Sequence, residues 1–324
     1  MAQVIRLAAA GGPECMQMQQ WEMAAPGPGE VLLAQQAVGV NPLDVLQRKG
    51  IAPIPLPSGL GLEGAGTVLA LGAGVSQFAV GDRVAYATGP LGAYASERLY
   101  PAERLVKLPD GISAEQAAAV LFKGITAQYL LTSTYAVGPG TIVLLYGASG
   151  GVGQLMASWA KHWGATVIGV VSKPQSQARA LAAGCDQALV FDPQTLAAQL
   201  RDATGGRMAD VVYDGLGKLS FAASLDCLRP RGLMVSFGAT TGAPPAVEMG
   251  TLNAKGSLYI TRPSLAAHTA TAAEYQQRAS AVLQAVEQGI IQAAIGRRYA
   301  LAEVAAAHAD LEAGQTQGAV VLLP

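Results

Sequence analysis

Short apolar runs separated by glycine- and proline-rich turns dominate the first third of the chain. Runs from Glu30 to Val40, Glu63 to Leu71 and Val80 to Tyr86 have the length of strands. Between the first two runs, Asn41-Pro42-Leu43-Asp44 has the form of a helix start, because Asn can cap, Pro fits the first helical position and Asp complements the positive helix end. Gly50 ends this helix. We therefore expect a compact, mainly β unit.

A helical region follows the turn Pro109-Asp110-Gly111. Ser113 and Gln116 have the spacing of a capping box, in which each side chain satisfies a backbone N–H group of the first turn. The pattern predicts two helical stretches, Ala114 to Leu121 and Ile125 to Tyr135, joined at Lys123-Gly124.

Beyond residue 140 the pattern changes to strands that alternate with helices. The predicted strands are Thr141–Tyr146, Thr166–Val171, Ala188–Phe191, Val211–Tyr213, Leu233–Phe237 and Gly256–Thr261. Apolar strands separated by amphipathic helices imply a parallel sheet covered on both faces. A helix from Ala272 to Glu287, another around Leu301 to Leu311 and a strand from Ala319 to Leu323 follow, and we expect this tail to return to the first unit. The fold class is α/β, a doubly wound parallel sheet joined to a mainly β domain.

Composition and charge exclude several classes of partner. The 324 residues include 21 Lys and Arg against 22 Asp and Glu, so no strong field favours nucleic acid. No apolar run reaches the roughly 18–20 residues that a membrane-spanning helix needs. The 3 cysteines are isolated, without a CxxC pair, which predicts a reducing, cytoplasmic location.

A glycine-rich loop lies between a predicted strand and a predicted helix that starts near Gln154. From Ala148 it reads A-x-G-x-x-G, ending at Gly153, a relative of the dinucleotide-binding fingerprint. Small residues let the backbone approach a pyrophosphate, and the new helix offers free N–H groups to the anion. The loop predicts dinucleotide binding; the alternative is a tight turn without a ligand.

The second strand of this region favours NADPH over NADH. NAD sites place an acidic residue ~20 residues past the glycines to hold the ribose hydroxyls, and none occurs there. Ser172, Lys173, Ser176 and Arg179 offer hydroxyls and cations that suit a 2′-phosphate. The alternative is an exposed helix start with basic residues for solubility.

No metal site or hydrolytic constellation is evident in the sequence. The 3 histidines and 3 cysteines are solitary, so the ligand spacing that zinc requires is absent. Without a Lewis acid to polarise an alcohol or a carbonyl, an electron-poor conjugated acceptor fits better, because the cofactor supplies the hydride.

Several segments together resemble the quinone oxidoreductases of the zinc-free medium-chain dehydrogenase/reductase superfamily. They are Gly39–Asp44, Pro57–Gly66, Lys123–Ala127, the glycine loop, Val212–Gly217, Gly232–Gly238 and Asn253–Leu265. In zinc-dependent relatives a metal-binding Cys lies at the position of Asn41, and a Gly-His-Glu motif at Gly61-Leu62-Glu63, so both ligands are replaced here. The resemblance implies a GroES-like catalytic domain from residues 1–124 and 266–324, a Rossmann NADP-binding domain from residues 125–265, and a homodimer formed through the cofactor domains.

The resemblance also implies cofactor contacts, which transfer to this chain by position. Asn41, Lys123 and Thr126 would lie near the nicotinamide; the alternatives are a helix cap for Asn41 and a helix-start residue for Thr126. The pyrophosphate would contact Ala148, Gly150, Gly151 and Val152. Later parts of the chain would contribute Gly215, Phe237, Gly238, Arg262 and Gln317; Phe237 could instead be core, and the last two could be solvent-exposed.

Three positions depart from close relatives. Ser176 replaces a Lys that binds the 2′-phosphate, so that either Lys173 or Arg179 compensates or the preference for NADPH is weaker. Phe191 replaces a Tyr that packs near the adenosine phosphate. Leu46 replaces a Tyr near the active cleft, which would open the pocket or change the acceptor.

Three functions fit these observations. The first is NADPH-dependent reduction of a small-molecule quinone by direct hydride transfer. The second is reduction of the activated double bond of an enal or enone. The third is a non-catalytic, nucleotide-binding or structural role, as crystallins of this scaffold have.

Overall fold

The computed structural model describes residues 1–292 and 294–324, which divide into two compact units. Unit 1 comprises Met1–Ile125 together with Thr269–Pro324. Unit 2 comprises Thr126–His268 and is therefore inserted into the chain of unit 1.

The N-terminal part of unit 1 consists mainly of strands. These are β1 (Ala2–Leu7), β2 (Met16–Trp21), β3 (Glu30–Val40), β4 (Ser58–Gly59), β5 (Glu63–Leu71), β6 (Arg83–Ala87), β7 (Glu97–Pro101) and β8 (Val106–Lys107). Helix α1 (Pro42–Arg48) follows β3, and helix α2 (Ala114–Tyr129) runs across the boundary to unit 2.

Unit 2 alternates strands with helices around one parallel sheet. Its elements are β9 (Ile142–Tyr146), α3 (Gly151–His162), β10 (Thr166–Val171), α4 (Gln177–Ala182), β11 (Gln187–Val190), α5 (Leu196–Ala203), β12 (Ala209–Asp214), α6 (Phe221–Asp226), β13 (Leu228–Ser236), α7 (Met249–Ala254) and β14 (Tyr259–Thr261). The strand order is β11-β10-β9-β12-β13-β14, and every neighbouring pair is parallel. Every residue of β9 and β12 is buried, as expected for central strands covered on both faces.

The chain then returns to unit 1 through α8 (Ala272–Glu287), β15 (Ile295–Ala300), α9 (Val304–Glu312) and β16 (Ala319–Leu323). Strand β16 pairs parallel with β15 and antiparallel with β3. The larger sheet has the order β15-β16-β3-β5-β6-β8, with β7 also paired to β3, and a smaller sheet has the order β2-β1-β4. Buried side chains from the early and late segments, among them Leu33, Tyr86, Leu301 and Leu322, share one core.

Helix α2 differs from the sequence-based prediction. Two stretches joined at Lys123-Gly124 were expected, but one α-helix runs from Ala114 to Tyr129 and continues as a π-helical segment, Leu130–Thr134. A Cβ at Gly124 would lie 2.5 Å from a methyl carbon of Val282 on α8. The glycine therefore permits close packing of two helices and does not mark a break, so that prediction was wrong.

Candidate cofactor-binding and active site

The glycine loop connects β9 to α3 and depends on small residues. Gly147 has a positive φ of 65°, and a Cβ on Gly153 would lie 2.2 Å from the Gly147 carbonyl oxygen. The Ala148 N–H donates to the Val170 carbonyl oxygen of β10 at 3.3 Å. Helix α3 begins at Gly151, three residues earlier than predicted, with Gly150 as its N-cap. The first-turn N–H groups of Gly151 and Val152 consequently have no acceptor within the helix, which suits an anion.

The loop lies where the direction of strand addition reverses. From β9 the chain adds β10 and β11 on one side of the sheet, and then β12, β13 and β14 on the other. Ligands of open parallel sheets bind in the crevice at this switch point, outside the carboxyl ends of the strands. The predicted pyrophosphate residues are therefore at the position that this topology favours.

The residues predicted to hold the 2′-phosphate follow β10. Ser172 and Lys173 are exposed and Arg179 is half-buried. Ser176 is only 7% exposed and ends a short 3-10 turn. Lys173 and Arg179 are thus more accessible than the serine that stands between them in the chain.

Further predicted cofactor residues gather at the carboxyl ends of the neighbouring strands. Phe191 follows β11, and its half-buried ring meets Tyr146 edge-on at a centroid distance of 5.7 Å. Gly215 follows β12, while Phe237 and Gly238 follow β13. A Cβ on Gly238 would lie 2.7 Å from the Gly215 carbonyl oxygen, and one on Gly215 would lie 3.2 Å from the Phe237 ring. The close approach of these strand ends requires glycine at 238, where the contact is to backbone, and leaves little room for a side chain at 215.

Asp214 holds this region together and was not assigned a role from the sequence. Its buried carboxylate accepts hydrogen bonds from the N–H groups of Leu216 (2.7 Å) and Gly217 (3.1 Å) and from the hydroxyls of Ser220 (2.6 Å) and Ser224 (2.9 Å). These bonds fix the turn that carries Gly215. The sequence feature that could have predicted this role is an acidic residue at the end of a strand, directly before Gly-Leu-Gly.

In unit 1, Asn41 and Lys123 form a buried network with Glu63. The Lys123 ammonium donates to Asn41 Oδ1 at 2.8 Å, and Asn41 Nδ2 donates to Glu63 Oε2 at 2.8 Å. Glu63 also accepts from the Phe122 N–H at 2.7 Å and lies 4.0 Å from the Lys123 nitrogen. Burial raises the pKa of Glu63, an effect that Lys123 and Asn41 oppose. The Asn41 side chain is therefore engaged with charged groups and makes no capping hydrogen bond to α1. Its backbone N–H donates instead to Asp44 Oδ2 at 2.8 Å.

The remaining predicted residues lie on other elements. Thr126 is half-buried inside α2, so the alternative of a helix-start residue was wrong, because the helix is continuous there. Arg262 is exposed directly after β14 in unit 2, and Gln317 is exposed shortly before β16 in unit 1.

The described residues contain neither a metal-binding cluster nor a membrane-spanning helix. In residues 1–292 and 294–324, no group of three or more His, Cys, Asp or Glu is arranged to hold a metal ion. Over the same ranges, no helix has the length and apolarity needed to cross a bilayer.

A doubly wound sheet with a glycine loop at its switch point, inserted into a β unit, defines a two-domain nucleotide-dependent dehydrogenase or reductase. Two family models agree with this class: an alcohol dehydrogenase GroES-like domain matches residues 27–110, and a zinc-binding dehydrogenase matches residues 151–284.

Relatives identify the family within that class. The chain is 46% identical to a quinone oxidoreductase of Pseudomonas aeruginosa over 100% of both chains, and 42% identical to a 2-haloacrylate reductase of Burkholderia sp over 97% of this chain and 96% of the relative. The crystal structure of Escherichia coli quinone oxidoreductase complexed with NADPH matches with a TM-score of 0.93 and 41% identity, covering 99% of this chain and 100% of that one. This chain belongs to the quinone oxidoreductase family.

Proposed function

We propose that the protein is an NADPH-dependent quinone oxidoreductase that transfers hydride directly to a quinone. The observation that carries the proposal is the bare-backbone turn at the switch point of the unit 2 sheet, where a Cβ on Gly153 would lie 2.2 Å from the Gly147 carbonyl oxygen. A family member of known structure binds NADPH, which supports the same cofactor here.

Different residues of the chain would bind different parts of the cofactor. Ala148, Gly150, Gly151 and Val152 would hold the pyrophosphate through backbone N–H groups and a helix N-terminus. Gly215, Phe237 and Gly238 would line its path along the strand ends, and Arg262 and Gln317 would contact it from later segments.

The phosphate end would explain the preference for NADPH. The exposed Ser172 and Lys173 and the half-buried Arg179 would bind the 2′-phosphate, together with Ser176 and Phe191. A carboxylate at this place would repel the phosphate, and the segment from residue 172 to residue 179 contains none.

Asn41, Lys123 and Thr126 would contact the nicotinamide end of the cofactor. When bound, NADPH supplies a hydride, and an electron-poor quinone accepts it without prior activation. The Lys123 ammonium, held by Asn41 and by the Glu63 carboxylate, provides a fixed positive charge that favours the negative charge developing on the reduced acceptor. The balanced reaction is quinone + NADPH + H⁺ → hydroquinone + NADP⁺.

Steady-state kinetics with a quinone and two activated alkenes test the proposal. Purified protein should oxidise NADPH with p-benzoquinone faster than with an α,β-unsaturated aldehyde or 2-chloroacrylate. Faster turnover of either activated alkene would favour the second candidate, reduction of a conjugated C=C bond, which similarity to a 2-haloacrylate reductase supports. Tight NADPH binding without turnover of any acceptor would favour a non-catalytic role.

We also propose a homodimer formed through unit 2 and a cytoplasmic location. Strand β14 is the last strand of its sheet, and Tyr259 on it is 61% exposed, so a second copy could extend the sheet there. Light scattering should give the mass of two chains, and Tyr259→Asp should give one, because it places a charge on the exposed edge. The free thiols of Cys15, Cys185 and Cys227 suit a reducing compartment.

A further inference from the structure

A buried hydrogen-bonded chain lies behind Asn41 in unit 1. Asp44 Oδ2 accepts the Asn41 N–H at 2.8 Å and the Tyr94 hydroxyl at 2.9 Å. The Tyr94 oxygen lies 2.9 Å from His308 Nε2 on α9. Asp44 is 1% exposed, and Tyr94 and His308 are fully buried. Three side chains that are distant in sequence thus form one polar path to the backbone of a proposed nicotinamide residue.

This chain can exist in two arrangements that differ by one proton. With Asp44 ionised, the hydroxyl of Tyr94 donates to Asp44, and its oxygen accepts from the Nε2–H group of His308. With Asp44 protonated at Oδ2, that oxygen becomes a donor, and the Tyr94 proton can turn to an unprotonated Nε2. Within the described residues, Asp44 Oδ1 and His308 Nδ1 are buried without a hydrogen-bond partner, so both ends of the path remain available for a proton.

Burial and the neighbouring charged groups shift the pKa values of Asp44 and His308. Glu63 from β5 raises the pKa of Asp44 and Lys123 from α2 lowers it, but the largest effect is burial, which raises that pKa to about 7. Burial and the Arg48 guanidinium, which pairs with Glu312, lower the pKa of His308 to about 4. An extra proton near neutral pH therefore resides on Asp44 rather than on His308.

We propose that Asp44, supported by Tyr94 and His308, is a positioning residue whose carboxylate holds Asn41 in place and whose protonation weakens that hold. The ionised carboxylate makes a charge-assisted hydrogen bond to the Asn41 N–H, and the neutral acid makes a weaker one. Because the Asn41 side chain bonds to both Lys123 and Glu63, a looser Asn41 also loosens the fixed ammonium. The expected weakening of NADPH binding on protonation of Asp44 rests on the proposed function.

Titration of Asp44 in the cofactor-free protein tests whether the Tyr94 hydrogen bond sets its protonation. Infrared spectra from about pH 5 to about pH 9 should show a carboxylic acid band that disappears with a midpoint near 7 and that is missing in Asp44→Asn. Tyr94→Phe removes a hydrogen bond that lowers the pKa, so the midpoint should move upward by about one pH unit, the worth of one hydrogen bond. Tyr299→Phe is the matched control, since it removes a tyrosine–aspartate hydrogen bond to Asp310 elsewhere in unit 1 and should leave the midpoint unchanged.

Cofactor affinity tests the consequence. NADPH binding, followed by its fluorescence, should weaken as pH falls through the same midpoint in the wild-type protein, and Asp44→Asn should lack this inflexion. An unchanged midpoint in Tyr94→Phe, or the same inflexion in Asp44→Asn, would overturn the proposal. Failure of the wild-type protein to bind NADPH at any pH would contradict the proposed function, while the infrared midpoints in the free protein would still decide the role of Tyr94.

Discussion

Replacement of Asp44 by Asn should change the free energy of unfolding by an amount that depends on pH. Burial raises the pKa of Asp44 from 3.8 to about 7 in the folded protein, whereas the unfolded chain keeps the ordinary value. Between these values the folded state binds a proton that the unfolded state has lost. Folded-state stability therefore decreases as pH rises through this window and becomes constant above the folded-state pKa.

The size of the effect follows from the difference between the two pKa values. One pKa unit corresponds to about 1.4 kcal/mol, so about three units amount to roughly 4 kcal/mol over the whole window. Asn has no such dependence. From about pH 5 to about pH 8, the variant should therefore gain about 2.7 kcal/mol relative to the wild-type protein and gain almost nothing more above that.

His308 acts in the opposite direction and must be separated from this effect. Its pKa is lowered from 6.5 to about 4, so the stability that it contributes is complete above 6.5 and is lost as pH falls through about 4. Both proteins carry His308, and the difference between them removes most of its contribution.

Urea unfolding followed by circular dichroism, at several pH values and for both proteins, measures the effect. Asp82→Asn is the control: Lys107 lowers the pKa of Asp82, so Asp82 stays ionised over this range and its variant should differ from the wild-type protein by a constant amount. A constant difference for Asp44→Asn as well would refute the reasoning, because it would mean that Asp44 has the same pKa in both states.

Three further predictions concern the cofactor and metal chemistry. Lys173→Ala and Arg179→Ala should each weaken NADPH binding relative to NADH binding by about 1–3 kcal/mol in fluorescence titrations. Lys161→Ala, at the far end of α3, is the control and should leave both affinities unchanged. Equal losses for both cofactors would show that neither Lys173 nor Arg179 contacts the phosphate. Gly153→Val places side-chain atoms against the Gly147 carbonyl oxygen, so it should cost about 1–3 kcal/mol in thermal unfolding and abolish NADPH binding, whereas normal affinity would exclude the turn as the pyrophosphate site. Elemental analysis should find no stoichiometric zinc and a chelator should leave turnover unchanged; one zinc per chain that is required for turnover would contradict this.

Local patterns were enough to predict much of the secondary structure. The bounds of β3, β5, β10, α8 and β16 agree with the sequence-based prediction to the residue. The capping box at α2 is also confirmed, since Ser113 Oγ accepts the Gln116 N–H at 3.1 Å and Gln116 Oε1 accepts the Ser113 N–H at 2.9 Å. These features depend on residues close together in the chain, so periodicity and turn chemistry specify them.

Strands with exposed or weakly alternating side chains were missed. In β2, every residue after Met16 is exposed, and β15 has mostly exposed side chains, so neither shows a clear apolar face. Tertiary pairing determines such strands, β2 through β1 and β15 through β16.

Long-range polar contacts could not be predicted from the sequence. Asp44 was assigned to the helix dipole of α1, and His308 was noted as solitary. Tyr94 joins them across separations of 50 and 214 positions. No local pattern encodes a hydrogen bond between such distant residues, or the burial that, with a smaller contribution from Glu63, raises the pKa of this carboxyl.

The pairing of β16 with β3 has a consequence for synthesis. β3 leaves the ribosome before any of unit 2, but its neighbour β16 comes after residue 318, when all of unit 2 has already been translated. Unit 2 is continuous in the chain and can acquire its tertiary structure during translation, whereas the sheet of unit 1 stays open beside β3 until β16 is made. We expect nascent chains arrested after residue 268 to contain a protease-resistant unit 2 and an unprotected unit 1.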